Sequence, residues 1–231
     1  MTWVKICGIT NLEDALVAVD AGADAIGFVF YEKSPRRMTV EAAREIAKTL
    51  PENVDKVGVF AGESLESAVG TAREARLDSL QSYVLSYRQR LDEGLVAHAS
   101  GLNGLRSYVA LPINMFLGQG AKNIDRFLRP RLAGAFDRLF LDSGDSQQPG
   151  GTGQKFDWQE AAEAVHQLNT NQEVVIAGGL VPMNVAEAIE ILKPWGVDVS
   201  SGVEAKPGKK DPDKVRAFIK AVREADKANS N

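Results

Sequence analysis

A single (β/α)₈ barrel with parallel strands is the α/β fold that this sequence predicts, and three observations predict it. Short apolar runs alternate with helix-period segments, giving about eight strand-then-helix units whose connections are expected to be right-handed crossovers. The length, 231 residues, lies close to the roughly 250 typical of such a barrel. The residues able to carry chemistry follow the strands directly, where barrels of this class build their sites. An open, doubly wound sheet is the alternative arrangement of the same units. No linker divides the chain, so residues 1–225 read as one catalytic barrel domain and residues 226–231 as a polar, frayed tail.

The first strand is Trp3–Cys7. Gly8 and the polar pair Thr10 and Asn11 turn the chain into a helix over Leu12–Ala21, where Leu12, Ala15, Leu16 and Val19 recur at helical spacing and Gly22 ends the run. Ala25–Phe30 is the second strand. The loop Tyr31–Arg37 leads to a helix over Val40–Leu50, closed by Pro51. Lys56–Phe60 is the third strand, Ser64–Arg76 the next helix and Leu77–Gln81 the fourth strand. Further strands are expected at Ser107–Leu111, Arg138–Leu141, Val174–Ala177 and Val197–Val199, and helices at Trp158–Leu168, Met183–Leu192 and Pro212–Ala225. From Ser82 to Phe136, glycine and proline interrupt the pattern.

Composition narrows the function. The chain is 44% hydrophobic and 25% charged, ordinary for a globular domain with a real core. A net charge of -4 argues against nucleic acid or an anionic membrane as partner, since both select basic surfaces. The single cysteine excludes a disulfide framework and a zinc site built from several cysteines. His98 and His166 are too far apart in sequence to suggest a metal cluster. There is no basic-then-apolar leader and no apolar run of membrane-spanning length, so a cytoplasmic enzyme is the expectation.

Cys7 ends the first strand. A lone cysteine is more often a small buried hydrophobe than a catalyst, but its place at a strand's carboxyl end makes it a candidate. After the seventh strand come Gly178 and Gly179, and after the eighth Ser200, Ser201 and Gly202. Glycines let backbone N–H groups approach an anion closely, and these two loops form phosphate sites in many barrels. Asp142 follows the apolar run Leu139-Phe140-Leu141. Partial desolvation there would raise its pKa and suit it to general acid work, although an aspartate at a strand end is also a common turn residue. Arg36, after Pro35, has the fork geometry to clamp a carboxylate.

Together these segments resemble a known family. Lys5-Ile6-Cys7-Gly8-Ile9-Thr10, Ser34-Pro35-Arg36, Leu141-Asp142-Ser143, Gly150-Gly151-Thr152-Gly153, Ala177-Gly178-Gly179-Leu180 and Asp198-Val199-Ser200-Ser201-Gly202-Val203-Glu204 look like phosphoribosylanthranilate isomerase, across nearly the whole chain. One stretch departs. The family shows Gln-Leu-His-Gly after the fourth strand, where this chain has Gln81-Ser82-Tyr83-Val84. The departure is expected to affect the fourth loop and substrate preference, and to leave the proposed acid and base untouched.

The resemblance implies an Amadori rearrangement in tryptophan biosynthesis, from N-(5-phosphoribosyl)anthranilate to 1-(o-carboxyphenylamino)-1-deoxyribulose 5-phosphate. It implies Asp142 as general acid, Cys7 as general base and Arg36 as partner of the anthranilate carboxylate. Gly178, Gly179, Ser200, Ser201 and Gly202 would hold the phosphate, with Gln81 and Asp198 as further substrate contacts. It calls for no cofactor and no metal, and leaves association with other enzymes of the pathway open. The related isomerase of histidine biosynthesis is the enzymatic alternative, but those barrels carry aspartate where Cys7 stands. A non-catalytic phosphate-binding barrel is the alternative from another class.

Overall fold

The computed structural model describes residues 1–83, 102, 104–118, 136–144 and 155–229. Eight parallel strands close on themselves in sequence order: β1 (Trp3–Cys7), β2 (Ala25–Val29), β3 (Asp55–Ala61), β4 (Ser79–Tyr83), β5 (Arg106–Pro112), β6 (Arg138–Asp142), β7 (Glu173–Ile176) and β8 (Gly196–Val199). β1 completes the circle by pairing with both β2 and β8, with Lys5 opposite Asp198 and Cys7 opposite Gly27. The described helices are α1 (Leu12–Ala21), α2 (Val40–Ala47), α3 (Leu65–Glu74), α4 (Trp158–Leu168), α5 (Val185–Leu192) and α6 (Pro212–Ala228). The expected closed barrel is present, and the alternative open sheet is excluded. β4 starts and ends two positions later than its apolar run suggests, and α6 runs past Ala225 to Ala228, with Asp226 Oδ1 accepting from the Thr2 backbone N–H at 3.0 Å.

The helices start where their caps dictate. Asn11 accepts from the Asp14 N–H, Ser64 from the Ser67 N–H, and Asp157 and Asp211 from the first-turn N–H groups of α4 and α6. Each such cap stabilises its helix by about 1 kcal/mol. Between strands and helices lies the larger apolar layer, where Ile6, Phe28, Leu80, Val165, Leu192 and Phe218 are buried. Burying each large apolar side chain contributes about 1.5–3 kcal/mol.

The interior of the barrel holds the alternate residues of the strands. Cys7, Val57, Val59, Tyr108, Ala110, Phe140 and Val175 form one cluster there, with Trp3, Tyr83 and Trp195 packed against it. Its amino-terminal end is plugged. The Arg138 guanidinium lies 4.5 Å from the Trp3 ring, 4.8 Å from Tyr108 and 4.3 Å from Trp195. Asp55 accepts from Ser79, Tyr108 and Arg106 beside it. The floor is thus a neutralised cation and aromatic stack, which leaves the carboxyl ends of the strands as the open face.

Sequence periodicity does not reveal the short antiparallel hairpin β9 (Glu204–Lys206) and β10 (Lys209–Lys210) between β8 and α6. Two- and three-residue strands carry no usable period. This hairpin brings Glu204 and Lys210 together at the rim.

Candidate active site

A cavity of about 410 Å³ opens at the carboxyl ends of the strands, and Cys7, Arg36, Asp142, Gly178, Gly179, Asp198, Ser200, Ser201 and Gly202 all line it. Nine of the ten residues predicted to act are thereby brought together. Gln81 is the exception. It is buried on β4, is not part of the cavity wall, and its side-chain amide has no hydrogen-bond partner among the described residues. The Gly150–Gly153 segment lies outside the described residues.

Local sequence explains the placement of Cys7. It ends β1 on the inward face, and the space beside its thiol exists because residue 27 is glycine. A Cβ there would stand 2.9 Å from Cys7 Sγ and 3.0 Å from Lys5 Cε. Lys5, one inward position earlier on β1, is fully buried, with its ammonium 3.0 Å from Asp198 Oδ1. Burial opposes that charge, but Asp198 and Cys7 hold its pKa above the ordinary lysine value. Burial pushes the Cys7 thiol up, and Lys5 works against the rise. Lys5 is a charged neighbour of Cys7 that motif reading does not single out. Its signal was present: a lysine in an apolar strand, sharing the face of Cys7 at spacing two.

Asp142 ends β6, so three steps around the barrel through β7 and β8 separate it from Cys7 at the same end of the strands. Its Oδ1 accepts from the Gly144 N–H at 2.7 Å, and its Oδ2 from the Tyr83 hydroxyl at 2.9 Å. Burial raises the carboxyl pKa above the usual aspartate value despite both donors. The Tyr83 contact corrects an expectation. The residue standing in the histidine position of the family motif touches the proposed acid directly, because β4 runs to Tyr83 and side chains alternate inward at 79, 81 and 83.

Arg36 is held rather than solvated. Its Nε and Nη2 donate to Glu204 Oε1 at 2.7 Å and Oε2 at 2.8 Å, and its side chain is 11% exposed against 55% for Arg37. Lys210 donates to the same Glu204 Oε1 at 2.9 Å and to the Ser200 carbonyl at 3.1 Å. The Glu204 pair keeps the Arg36 pKa high, while burial of Glu204 is outweighed by Arg36 and Lys210, which hold its carboxyl below the ordinary range. Gly8 permits the approach. It has φ +73°, and a Cβ on it would fall 2.5 Å from Arg36 Cδ.

The two glycine loops meet across the rim. Gly178 has φ +89°, and a Cβ on it would strike Ser143 Oγ at 2.1 Å; one on Gly202 would strike the Leu180 carbonyl at 1.9 Å. Asn184 staples the first loop, donating to the Gly179 carbonyl at 3.0 Å and accepting from the Val181 N–H at 2.8 Å. Closely packed backbone of this kind presents N–H groups to an anion. Among the described residues no group of three or more His, Cys, Asp or Glu is placed to hold a metal ion, and no helix is long and apolar enough to cross a membrane.

Comparison with known proteins agrees with this geometry. The family model described as N-(5'phosphoribosyl)anthranilate (PRA) isomerase matches residues 4–83 and 119–221. The N-(5'-phosphoribosyl)anthranilate isomerase of Geotalea uraniireducens is 43% identical over 223 residues, 96% of this chain and 99% of that relative. The enzyme of that name from Thermotoga neapolitana is 41% identical over 227 residues, covering 96% and 99%. The crystal structure of phosphoribosyl anthranilate isomerase from Thermotoga maritima superposes with a TM-score of 0.79 at 37% identity, covering 97% of this chain and 100% of that one. A phosphoribosyl anthranilate isomerase in complex with reduced 1-(o-carboxyphenylamino)-1-deoxyribulose 5-phosphate superposes with a TM-score of 0.76, also at 37% identity, covering 97% and 100%.

Proposed function

The chain belongs to the N-(5'-phosphoribosyl)anthranilate isomerase family, and from that premise we propose that Asp142 and Cys7 carry out its rearrangement as general acid and general base. The protein is a phosphoribosylanthranilate isomerase of tryptophan biosynthesis acting on a small phosphorylated substrate. The observation that carries the site assignment is the shared cavity, with a raised carboxyl on one side and the thiol beside a buried lysine on the other.

Asp142, protonated, gives its proton to the furanose ring oxygen as the C1–O bond breaks, leaving an iminium between C1 and the anthranilate nitrogen. Cys7, as thiolate, takes the proton from C2, and the electron pair moves to the iminium to give an enolamine. Tautomerisation then yields the ketone. Each proton transfer by a positioned group contributes roughly 10²–10⁴-fold. A raised carboxyl supplies the protonated acid, and Lys5 opposes the cost of forming the thiolate. Arg36, fixed by Glu204, meets the anthranilate carboxylate, and the loops at Gly178–Gly179 and Ser200–Gly202 take the phosphate. The reading places the enzyme in the cytoplasm and keeps 1–225 as one catalytic domain.

Steady-state turnover of phosphoribosylanthranilate by the wild type, Cys7→Ser and Asp142→Asn tests the roles. Each substitution is expected to lower kcat by about 10²-fold or more, with KM changed far less. Near-normal turnover in either variant refutes that residue's role.

A further inference from the structure

We propose that Tyr83 is a positioning residue for the general acid, its phenol fixing Asp142 Oδ2 at the cavity and donating to the carboxylate formed as the proton leaves. The inference rests on the reading of Asp142 as acid and adds a residue to it. Tyr83 is the last residue of β4, lines the cavity, and donates to Asp142 Oδ2 at 2.9 Å. The Gly144 N–H occupies the other oxygen at 2.7 Å. With Oδ1 claimed by a donor that cannot accept, the acid proton sits on Oδ2, beside the phenol. A hydroxyl both accepts and donates. It donates to Oδ2 in both forms, first to a lone pair of the neutral acid, whose own O–H stays free for the substrate, and then to the anion. The second bond is charge-assisted and the stronger of the two, so it favours the state after proton transfer.

The surroundings support this role. Asp142, Asp198 and Cys7 line the same cavity as the phenol, and their charges act on it, Asp142 foremost. Burial and these acidic neighbours hold the Tyr83 hydroxyl well above its ordinary pKa, so it stays a neutral donor over the working pH range. The family motif has histidine here, a group that itself titrates near neutrality. Tyrosine leaves the acid without a second ionisation beside it.

The sign of the expected pH effect follows. The donor favours ionised Asp142, so its removal raises the carboxyl pKa. Phenylalanine at 83 should lower kcat about tenfold, the worth of one charge-assisted bond, with KM within about threefold. The limb of the pH–rate profile set by Asp142 should move to higher pH, and the other limb should stay. Incorporating 3-fluorotyrosine, a stronger donor of nearly the same shape, should move that limb to lower pH. It carries the test if Y83F fails to fold. Y83H keeps an N–H donor and should hold kcat within about threefold of the wild type. In an Asp142→Asn background, adding Y83F should change the residual rate by less than about twofold, because the tyrosine acts through the carboxyl. An unmoved limb in both Y83F and the fluorotyrosine enzyme, or an equal loss with and without Asp142, overturns the proposal. A D142N enzyme of nearly full activity would instead overturn the parent reading, so the two failures are distinguishable.

Discussion

Lys5 Nζ stands 3.0 Å from Asp198 Oδ1 inside the closed barrel, one inward position along β1 from the Cys7 thiol. The pair is buried on both sides, with side-chain exposures of 0% and 7%. It places a positive charge beneath a thiol that burial would otherwise keep neutral. It also leaves Asp198 dependent on Lys5 for compensation.

Lys5→Met should therefore act twice. Loss of the ammonium leaves a buried carboxylate unpaired, which costs about 3–5 kcal/mol of stability. It also removes the charge that opposes the raised thiol. Thiolate absorbance followed against pH should show Cys7 titrating at higher pH than in the wild type, and urea unfolding should report the lost stability. A thiol titration that does not move would show that Lys5 is purely structural.

Asp142→Asn is expected to stabilise the folded protein at neutral pH while lowering kcat by about 10²-fold or more. The folded carboxyl has a raised pKa. Folding is therefore penalised once the pH exceeds the unfolded value of about 4. Asparagine carries no such penalty. The Tm difference between variant and wild type should grow from pH 4 to pH 7, as read by calorimetry. A constant difference would place the cost in packing rather than in charge.

Glu204→Gln loosens the grip on Arg36. A neutral amide cannot form the two-pronged charged pair, so KM should rise by about tenfold, the worth of one charge-assisted contact, with kcat less affected. The Glu204 carboxyl is held below its ordinary value. Its contribution to stability is thus complete above about pH 4.3 and is lost as the pH falls through the lowered value. Between pH 5 and pH 3 the wild type should lose stability more steeply than E204Q.

Inorganic phosphate or sulfate should inhibit competitively by occupying the rim between the two glycine loops. A bulky residue at Gly179 should raise KM for the phosphorylated substrate and lower kcat as well, because phosphate binding helps position the sugar. A phosphate-free analogue, turned over weakly, should be nearly indifferent to the change. Equal damage to both substrates would make Gly179 structural.

The barrel was legible because buried strands leave apolar runs, and caps and glycines such as Asn11, Gly22 and Ser64 show where the neighbouring helices begin or end. Cys7, Asp142, Arg36 and the glycine loops were legible because strand ends in this fold point to one face. What escaped was set by tertiary pairing. Nothing local to Glu204 and Lys210 announces that a small hairpin brings them to Arg36. Tyr83 reads in sequence as a departure from the family motif, whereas its inward parity on β4 is the informative property. Gln81, expected at the substrate, shares that parity but lies below the cavity wall.

The plugged floor has a consequence for the fate of hydrogen atoms. Arg138 and the rings of Trp3, Tyr108 and Trp195, with Phe140 and Lys5 fully buried beside them, close the amino-terminal end of the barrel among the described residues. Isotopic label lifted from C2 by the proposed base Cys7 would then leave through the mouth that substrate enters. Label washout into solvent should compete with product departure rather than precede it, with matter and protons sharing one route through the carboxyl-end mouth.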